Sequence, residues 1–187
     1  MIETPTLETE RLILRRFEAR DFEPLARFYA DDQVMRHMLP GRGLSRTEAQ
    51  DRAKSNIHNF NDHWDRRGYG VWAVQDRASK RLLGQCGLRW VAEAEQTELL
   101  YLLGKTAWGR GLASEAGRAA LRFGFERCGL TQTIALTAPE NRGSQRVLAK
   151  LGFGYTGDGP IWERVVSWFS LSRETWTAMQ TESVPAN

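Results

Sequence analysis

The feature of this chain that most restricts its fold is an apolar run that leads directly into a glycine-containing turn. Residues 99–103 read Leu-Leu-Tyr-Leu-Leu, without alternation of apolar and polar side chains. A strand that is apolar on both faces is typical of the middle of a sheet that helices cover. Gly109 and Gly111 follow, and small or apolar residues recur at helical spacing from Leu112 onward. This order of strand, turn and helix predicts an α/β fold.

Strand and helix patterns continue on both sides of this segment. Branched and aromatic residues between turn signals mark the strands, and apolar residues three or four positions apart mark the helices. Because each helix has only one apolar stripe to bury, we expect the helices to pack on a mixed sheet. The predicted strands are residues 11–17, 69–75, 82–91, 99–103, 131–138 and 162–171, and the predicted helices are residues 21–29, 45–65, 112–127 and 141–151.

Length and hydropathy limit the domain organisation and the cellular location. The chain has 187 residues, and because domains commonly have roughly 100–200 residues we expect a single one. This domain is predicted over residues 7–175, with terminal extensions at 1–6 and 176–187. No apolar run approaches the roughly 20 residues that span a bilayer, and the first residues lack the pattern of an export signal. We therefore expect a cytoplasmic protein that does not bind membranes.

Charge and cysteine content argue against two further classes. The formal net charge of +3 is a mild excess that would help to attract an anionic ligand. The arginines are scattered among acidic residues, whereas nucleic-acid-binding proteins usually carry a concentrated basic stripe. Cys86 and Cys128 are too few for a disulfide framework or a cysteine-built metal site. We expect no dedicated nucleic-acid binding and no metal.

The turn before the predicted helix has the properties of an anion site. Gly109 and Gly111 let the backbone approach a ligand closely, and a helix that begins there points unpaired N–H groups outward. Such amides, together with the positive helix end, bind a phosphate or pyrophosphate. The Walker pattern is absent because Leu99 stands where its first glycine is required, and Ser114 replaces the third glycine of the dinucleotide fingerprint. Glycine spacing alone also allows a plain turn.

The sequence around this turn resembles a known family. Residues 108–116, Trp-Gly-Arg-Gly-Leu-Ala-Ser-Glu-Ala, resemble the coenzyme A pyrophosphate loop of GNAT acetyltransferases, in particular the RimJ/RimL subfamily of ribosomal-protein N-terminal acetyltransferases. Residues 7–15, 84–88, and 141–144 with 150–153 resemble further parts of that subfamily, in the same order. Each segment alone would be a weak signal, but their agreement over roughly residues 7–170 is improbable by chance.

The resemblance implies a fold and an acyl donor. The GNAT fold is an α/β fold with a mixed, mostly antiparallel sheet, splayed central parallel strands and flanking helices. Acetyl-CoA would be wedged between the strands at residues 99–103 and 133–138, where a backbone amide near Leu102 or Leu103 would polarise the thioester carbonyl. The expected acetyl-CoA-binding residues are Leu102, Leu103, Trp108, Gly109, Arg110, Gly111, Leu112, Ala113, Ser114, Asn141 and Arg146.

Two of these assignments leave alternatives open. The resemblance assigns Asn141 to the pantetheine arm or a bridging water, but asparagine is also a preferred helix N-cap. The basic residues near the loop are candidates for the outer phosphates of coenzyme A or are simply solvated charges. They are Arg110, Arg142, Arg146 and Lys150.

Acyl transfer to an amine requires one group that accepts a proton and another that protonates the leaving thiolate. The resemblance places the base on the strand before the loop, where Glu98 stands. Burial would raise the pKa of Glu98 toward neutrality, whereas a solvated glutamate at a strand end would have only a structural role. Leu148 replaces the tyrosine that the family commonly uses as the acid, so Ser144 is the substitute candidate. Weaker candidates are Tyr101, His37 and Glu115.

Together, these features predict an acetyl-CoA-dependent N-acetyltransferase that acts by direct transfer to a primary amine, with a protein N-terminus as one candidate acceptor. One alternative is a small-molecule acetyltransferase for an amino sugar or polyamine, which a carboxylate-rich acceptor cavity would favour. An open groove near residues 32–45 would instead favour a peptide. Another alternative, motivated by the missing tyrosine, is a non-catalytic acyl-CoA-binding module. The protein is expected to be a monomer or a homodimer.

Overall fold

The structure, a computed structural model, describes residues 4–38 and 40–182, and over this part of the chain it contains eight strands and six α-helices. The strands are β1 (Leu7–Glu8), β2 (Leu12–Arg15), β3 (Val71–Asp76), β4 (Leu82–Val91), β5 (Gln96–Leu103), β6 (Gln132–Thr137), β7 (Gly154–Ile161) and β8 (Arg164–Ser172). The helices are α1 (Phe22–Tyr29), α2 (Asp32–Met35), α3 (Arg46–Arg67), α4 (Leu112–Arg122), α5 (Arg142–Leu151) and α6 (Arg173–Glu182).

The strands form one mixed sheet in the order β1-β2-β3-β4-β5-β6-β8-β7. Each neighbouring pair is antiparallel except β5 and β6, which are parallel. The expected α/β fold, with a mostly antiparallel sheet and two central parallel strands, is confirmed. In the described ranges 4–38 and 40–182, no helix has both the length and the apolar character needed to cross a membrane.

The apolar strand β5 is buried on both faces, as its sequence predicts. Leu99 belongs to a core cluster that includes Leu88 and Leu121, which lie on β4 and α4. Leu100, the next residue, belongs to a second cluster that includes Leu25 of α1. Because successive side chains of a strand point to opposite faces, β5 contributes to the core on both sides of the sheet.

Local sequence determines where the two longest helices begin. Ser45 and Glu48 form a reciprocal capping box at the start of α3, and Gly68 ends that helix with a φ of 71°. α4 begins after Gly111 and continues into a π-helical turn at Phe123–Arg127, which together cover the predicted helix at residues 112–127.

Asp21 does not cap α1, although aspartate is a residue type that commonly caps a helix at this position. Asp21 stands at the N-cap position but makes no side-chain cap hydrogen bond. Its carboxylate instead accepts hydrogen bonds from the guanidinium of Arg15, at 2.7 and 2.8 Å, and from the amide of Glu18 at 2.8 Å. A buried carboxylate is stabilised more by a bidentate arginine than by a single further amide, which accounts for the difference.

Four elements were not predicted, namely β1, α2, β7 and α6. β7 contains three glycines and Pro160, a composition more typical of a loop, and it forms at the sheet edge where β8 supplies its hydrogen-bonding partner. α6 buries Trp176, which is 3% exposed and belongs to the core cluster of Leu99.

Candidate active site

The central feature of the site is the divergence of β5 and β6. The two strands share a single register pair, Glu98 with Ile134, whereas β4 pairs with β5 at eight positions. Beyond Glu98 the strands separate, and a cavity of about 850 Å³ is lined by residues 98–103 on one side and 135–138 on the other. The cavity therefore begins where the hydrogen bonding between the two halves of the sheet ends.

The glycine turn lies at the far end of β5. Gly109 and Gly111 have φ angles of 72° and 76°, which glycine adopts without the steric cost that a Cβ adds. A Cβ at Gly109 would meet nothing within 4 Å, so the space beside the turn is open. Gly111 is the N-cap of α4, and the first amides of that helix have no intrahelical acceptor. With both glycines in the cavity lining, the turn provides a backbone anion site.

Two side chains hold this turn in place. The indole Nε1 of Trp108 donates to the carbonyl oxygen of Leu103 at 2.7 Å. In the first turn of α4, the Glu115 carboxylate accepts from the hydroxyl of Thr9 at 2.6 Å and from the amide and Nε of Arg11 at 2.9 and 2.7 Å. Glu115 is outside the cavity lining, and its contacts make it an anchor between the N-terminal segment and α4.

Nearly all of the predicted site residues lie around this one cavity. Both proton-carrier candidates, Glu98 and Ser144, contribute to its lining. The side chain of Arg110 does not, because its guanidinium donates to the carbonyl oxygen of Thr106 at 3.3 Å. The predicted acetyl-CoA-binding residues that line the cavity are Leu102, Leu103, Trp108, Gly109, Gly111, Leu112, Ala113, Ser114, Asn141 and Arg146.

Asn141 has the capping role that its residue type favours. Its Oδ1 accepts a hydrogen bond from the amide of Ser144 at 3.1 Å and so begins α5. The same helix directs Arg142, Arg146 and Lys150 to the cavity lining. One wall of the cavity therefore combines a capped helix start with three positive charges.

Glu98 is a buried carboxylate with one charged partner. It is 3% exposed, and its Oε2 lies 2.6 Å from Nη2 of Arg89, which stands directly opposite on β4. Burial raises the pKa of Glu98, because the charged form loses its hydration, and the charge and hydrogen bond of Arg89 oppose that rise. Arg89 was not among the site residues predicted from the sequence, although opposite charges on two neighbouring strands are a recognisable cross-strand pair once the register of the strands is known.

Tyr101 and Ser144 form a second polar pair across the cavity. The two hydroxyl oxygens are 2.7 Å apart, and the Tyr101 hydroxyl also donates to the carbonyl oxygen of Ser144 at 3.2 Å. Burial raises the pKa of Tyr101, so this hydroxyl keeps its proton. Leu148 is 1% exposed and belongs to the core. The structure thus places a tyrosine beside Ser144 from β5 rather than from α5.

His37 follows α2 in the chain and lies at the rim of the cavity. Its Nδ1 is 3.8 Å from Oε1 of Glu140, and this nitrogen is buried without a hydrogen-bond partner among residues 4–38 and 40–182. Over the same described residues, no three His, Cys, Asp or Glu side chains are grouped in a way that could hold a metal ion.

Comparison with known families decides the identity of this arrangement. A family model described as an acetyltransferase (GNAT) domain matches residues 11–154, which is most of the chain. This chain belongs to the GNAT acetyltransferase family. The matched family is the RimJ/RimL type of GNAT acetyltransferase, which confirms the resemblance seen in the sequence. It is an N-acetyltransferase that uses acetyl-CoA, and the acceptor is the part of its reaction that the family does not define.

A relative in sequence agrees with this assignment, and two solved structures agree with the fold. The uncharacterized N-acetyltransferase YoaA of Bacillus subtilis (strain 168) is 31% identical to this chain over 154 residues, which cover 82% of this chain and 85% of YoaA. An acetyltransferase structure from Agrobacterium tumefaciens str. C58 has a TM-score of 0.78 at 24% identity, covering 89% of this chain and 94% of that one. The ribosomal-protein-S5-alanine acetyltransferase of Vibrio fischeri has a TM-score of 0.74 at 18% identity, covering 92% and 98%.

Proposed function

We propose that this enzyme transfers acetyl directly from acetyl-CoA to a primary amine, with Glu98 as the general base. The observation that carries the proposal is the position of Glu98, a buried carboxylate at the point where β5 and β6 separate and the cavity begins. Burial makes its carboxylate a stronger base than that of an exposed glutamate, and Arg89 favours the charged form that can accept a proton.

The cavity suits acetyl-CoA, which supplies an activated acetyl group and a thiolate leaving group. The amides at the start of α4 would bind its pyrophosphate, and Arg142, Arg146 and Lys150 would lie near its phosphates. Because β6 diverges from β5, alternate backbone N–H groups of residues 99–103 face the cavity instead of a neighbouring strand. An amide at Leu102 or Leu103 can therefore stabilise the oxyanion of the tetrahedral intermediate.

The proton balance uses the two polar pairs. The amine nitrogen attacks the thioester carbonyl carbon and gives a proton to Glu98, and the C–S bond breaks as the carbonyl re-forms. The thiolate takes a proton from the Ser144 hydroxyl, which regains one from solvent, while the Tyr101 hydroxyl 2.7 Å away keeps its own proton and orients the Ser144 hydroxyl. A thiolate is a good leaving group, so this second transfer contributes less to the rate than the first. Glu98 then releases the proton of the amine to solvent, so the enzyme returns to its starting state.

The acceptor that this proposal favours is an α-amine at a peptide N-terminus or of an amino acid. The relative from Vibrio fischeri is named for an alanine of ribosomal protein S5, and an alanine offers only its α-amine. α2 and the segment after it line the cavity through residues 33, 34 and 36–38, where an approaching chain would pass. The carboxylates that line the cavity are Glu98 and Glu140, too few for the carboxylate-rich site expected of an amino-sugar or polyamine enzyme.

The decisive experiment measures coenzyme A release by the full chain with a panel of peptides, amino acids and amines, followed by mass spectrometry of the products. We expect acetylation of an α-amine and none without enzyme. If the folded protein binds acetyl-CoA yet acetylates no member of the panel and no protein of a lysate, it is a binding module and the proposed function is wrong. Acetylation of spermidine or an aminoglycoside in preference to α-amines would support the small-molecule alternative.

The Tyr101–Ser144 pair gives a separate prediction. Ser144→Ala and Tyr101→Phe should each lower kcat by about 10-fold, because a general acid contributes at least that much even to a good leaving group. Their combined effect should be less than the product of the two, since both act on one proton. Tyr155→Phe is the matched control, because Tyr155 is 59% exposed on β7 and outside the cavity. If single-turnover rates are unchanged in both variants, the pair has no part in proton transfer.

A further inference from the structure

The charges that line the cavity are strongly asymmetric. Of its two carboxylates, Glu98 is neutralised by Arg89 at 2.6 Å, and Glu140 has a side chain that is 66% exposed and lies 3.8 Å from the His37 ring. Against these, six further arginine and lysine side chains contribute to the lining. A cavity with this balance attracts anions and repels cations.

Only half of these positive charges are explained by the acyl donor. Arg142, Arg146 and Lys150 lie on α5, near the turn that would bind pyrophosphate. The other three come from separate elements: Arg36 follows α2, Arg52 lies on α3, and Arg164 begins β8.

Arg164 is the most informative of the three. It is half-buried, lines the cavity, and its guanidinium forms no ion pair or hydrogen bond with any residue that the structure describes. It follows a turn at Trp162 and Glu163, both with positive φ, at 49° and 59°. Two consecutive residues with these angles form the two-residue hairpin turn that joins β7 to β8, and this turn fixes the position of Arg164 at the start of its strand. Trp162 also lies over the Arg89 guanidinium, at 5.4 Å from the ring centroid.

Arg52 provides the second charge from the other half of the sheet. It is half-buried on α3, and its positive charge is close enough to lower the pKa of Tyr29, which burial raises to about 12. α3 packs beside β3, whereas Arg164 belongs to β8 beyond the divergence of β5 and β6. The two guanidiniums therefore reach the cavity from the two separated halves of the sheet.

We propose that the acceptor is a primary amine that also carries a carboxylate, recognised by Arg164 and Arg52. This inference rests on the proposed transfer of acetyl to an amine. A guanidinium binds a carboxylate through two parallel hydrogen bonds, so these residues would orient the acceptor as well as attract it. The carboxylate can be that of a free amino acid or of an acidic side chain close to a peptide N-terminus. Polyamines and amino sugars are excluded as preferred acceptors, because their additional positive charges would face those of the cavity.

The experiment compares kcat/KM, per unprotonated amine, for acceptors that differ only in a carboxylate. One arm uses alanine and alaninamide, and the other uses C-terminally amidated tripeptides Ser-Asp-Ala and Ser-Asn-Ala, with spermidine as the cationic acceptor. We expect the charged member of at least one pair to be preferred by roughly 10-fold or more, as for a hydrogen bond to a charged group. Preference in the first arm identifies an amino acid, and preference in the second identifies an acidic N-terminus.

Variants then test the assigned residues. Arg164→Gln should remove most of the preference for the carboxylate by raising the KM of the charged acceptor, and Arg164→Lys should restore part of it. Arg122→Gln on α4, whose side chain is 59% exposed and outside the cavity, is the matched control and should change neither value. Equal or better use of the neutral acceptors, or a preference for spermidine, would overturn this inference while leaving acetyl transfer itself established. A protein that acetylates nothing would instead contradict the proposed function.

Discussion

Glu98→Gln is expected to lower kcat/KM for acetyl transfer by about 10²–10⁴-fold, because glutamine keeps the shape of the side chain but cannot accept the proton of the amine. Acetyl-CoA binding should change little, since Glu98 lies at the opposite end of β5 from the glycine turn. The Arg89 side chain is 36% exposed and can be hydrated when its partner loses its charge. Thermal unfolding and acetyl-CoA titration would separate lost chemistry from lost structure.

The dependence of kcat/KM on pH provides a second test of Glu98 as the base. The base acts when it is unprotonated, so kcat/KM falls as the pH decreases through the pKa of Glu98, which burial raises above that of an ordinary glutamate. Arg89→Gln removes the positive charge that opposes this rise, so the pKa of Glu98 should increase further. The limb that belongs to Glu98 is therefore expected to move to higher pH in Arg89→Gln and to be absent from the residual activity of Glu98→Gln.

The acceptor amine adds an acidic limb of its own to the profile, because only the unprotonated amine reacts. This limb should lie at the same pH in each variant. A pH profile of the same shape in the wild-type protein, Arg89→Gln and Glu98→Gln would show that another group accepts the proton. His37 would then be the next candidate, because it lies at the rim of the cavity.

The geometry of the glycine turn could be predicted from sequence because it is local. Gly109 and Gly111 adopt positive φ angles, and the helix that follows begins at Leu112 as its apolar spacing indicates. The buried strand before the turn was equally clear, since residues apolar on both faces have few other positions in an α/β fold. The part of the site that the sequence predicts best therefore lies on consecutive residues, from 99 to 112.

The partners of Glu98 and Ser144 depended on information that is not local. Arg89 faces Glu98 only because β4 and β5 form a hairpin across residues 92–95, and the register of that hairpin depends on Glu95, which has a φ of 50°. Tyr101 meets Ser144 because α5 packs over the gap between two diverging strands. Spacing along the chain does not encode either contact.

β7 could not be predicted for a different reason. Gly154, Gly157, Gly159 and Pro160 all disfavour a strand in isolation, and the strand exists because β8 pairs with it at the edge of the sheet. Its turn carries Trp162, which lies over Arg89, so an element with weak intrinsic propensity positions part of the site. Tertiary pairing has overridden local preference here.

Gly84→Ala is expected to destabilise the protein by about 3 kcal/mol, at the upper end of the cost of inserting a methyl group into a packed core. Gly84 lies next to a bulge in β4 and has a φ of 150°. A Cβ there would overlap the carbonyl oxygen of Leu102 and lie 2.8 Å from the Cα of Leu103. Both obstacles are backbone atoms, so a rotamer change cannot relieve the contact. The melting temperature should fall by about 6–12 °C for a chain of this size.

Gly109→Ala is the matched control for that substitution, because it adds the same methyl group where nothing lies within 4 Å. Only the positive φ of Gly109 disfavours alanine there, and it should lower the free energy of unfolding by about 1 kcal/mol. The melting temperature should therefore fall by about 2–4 °C. Its main effect should be on the turn, with weaker acetyl-CoA binding, and Gly109→Asn should be milder because asparagine tolerates this conformation. Equal losses of stability at the two positions would show that conformational freedom, not the close approach of β5 to Gly84, is what requires glycine in β4.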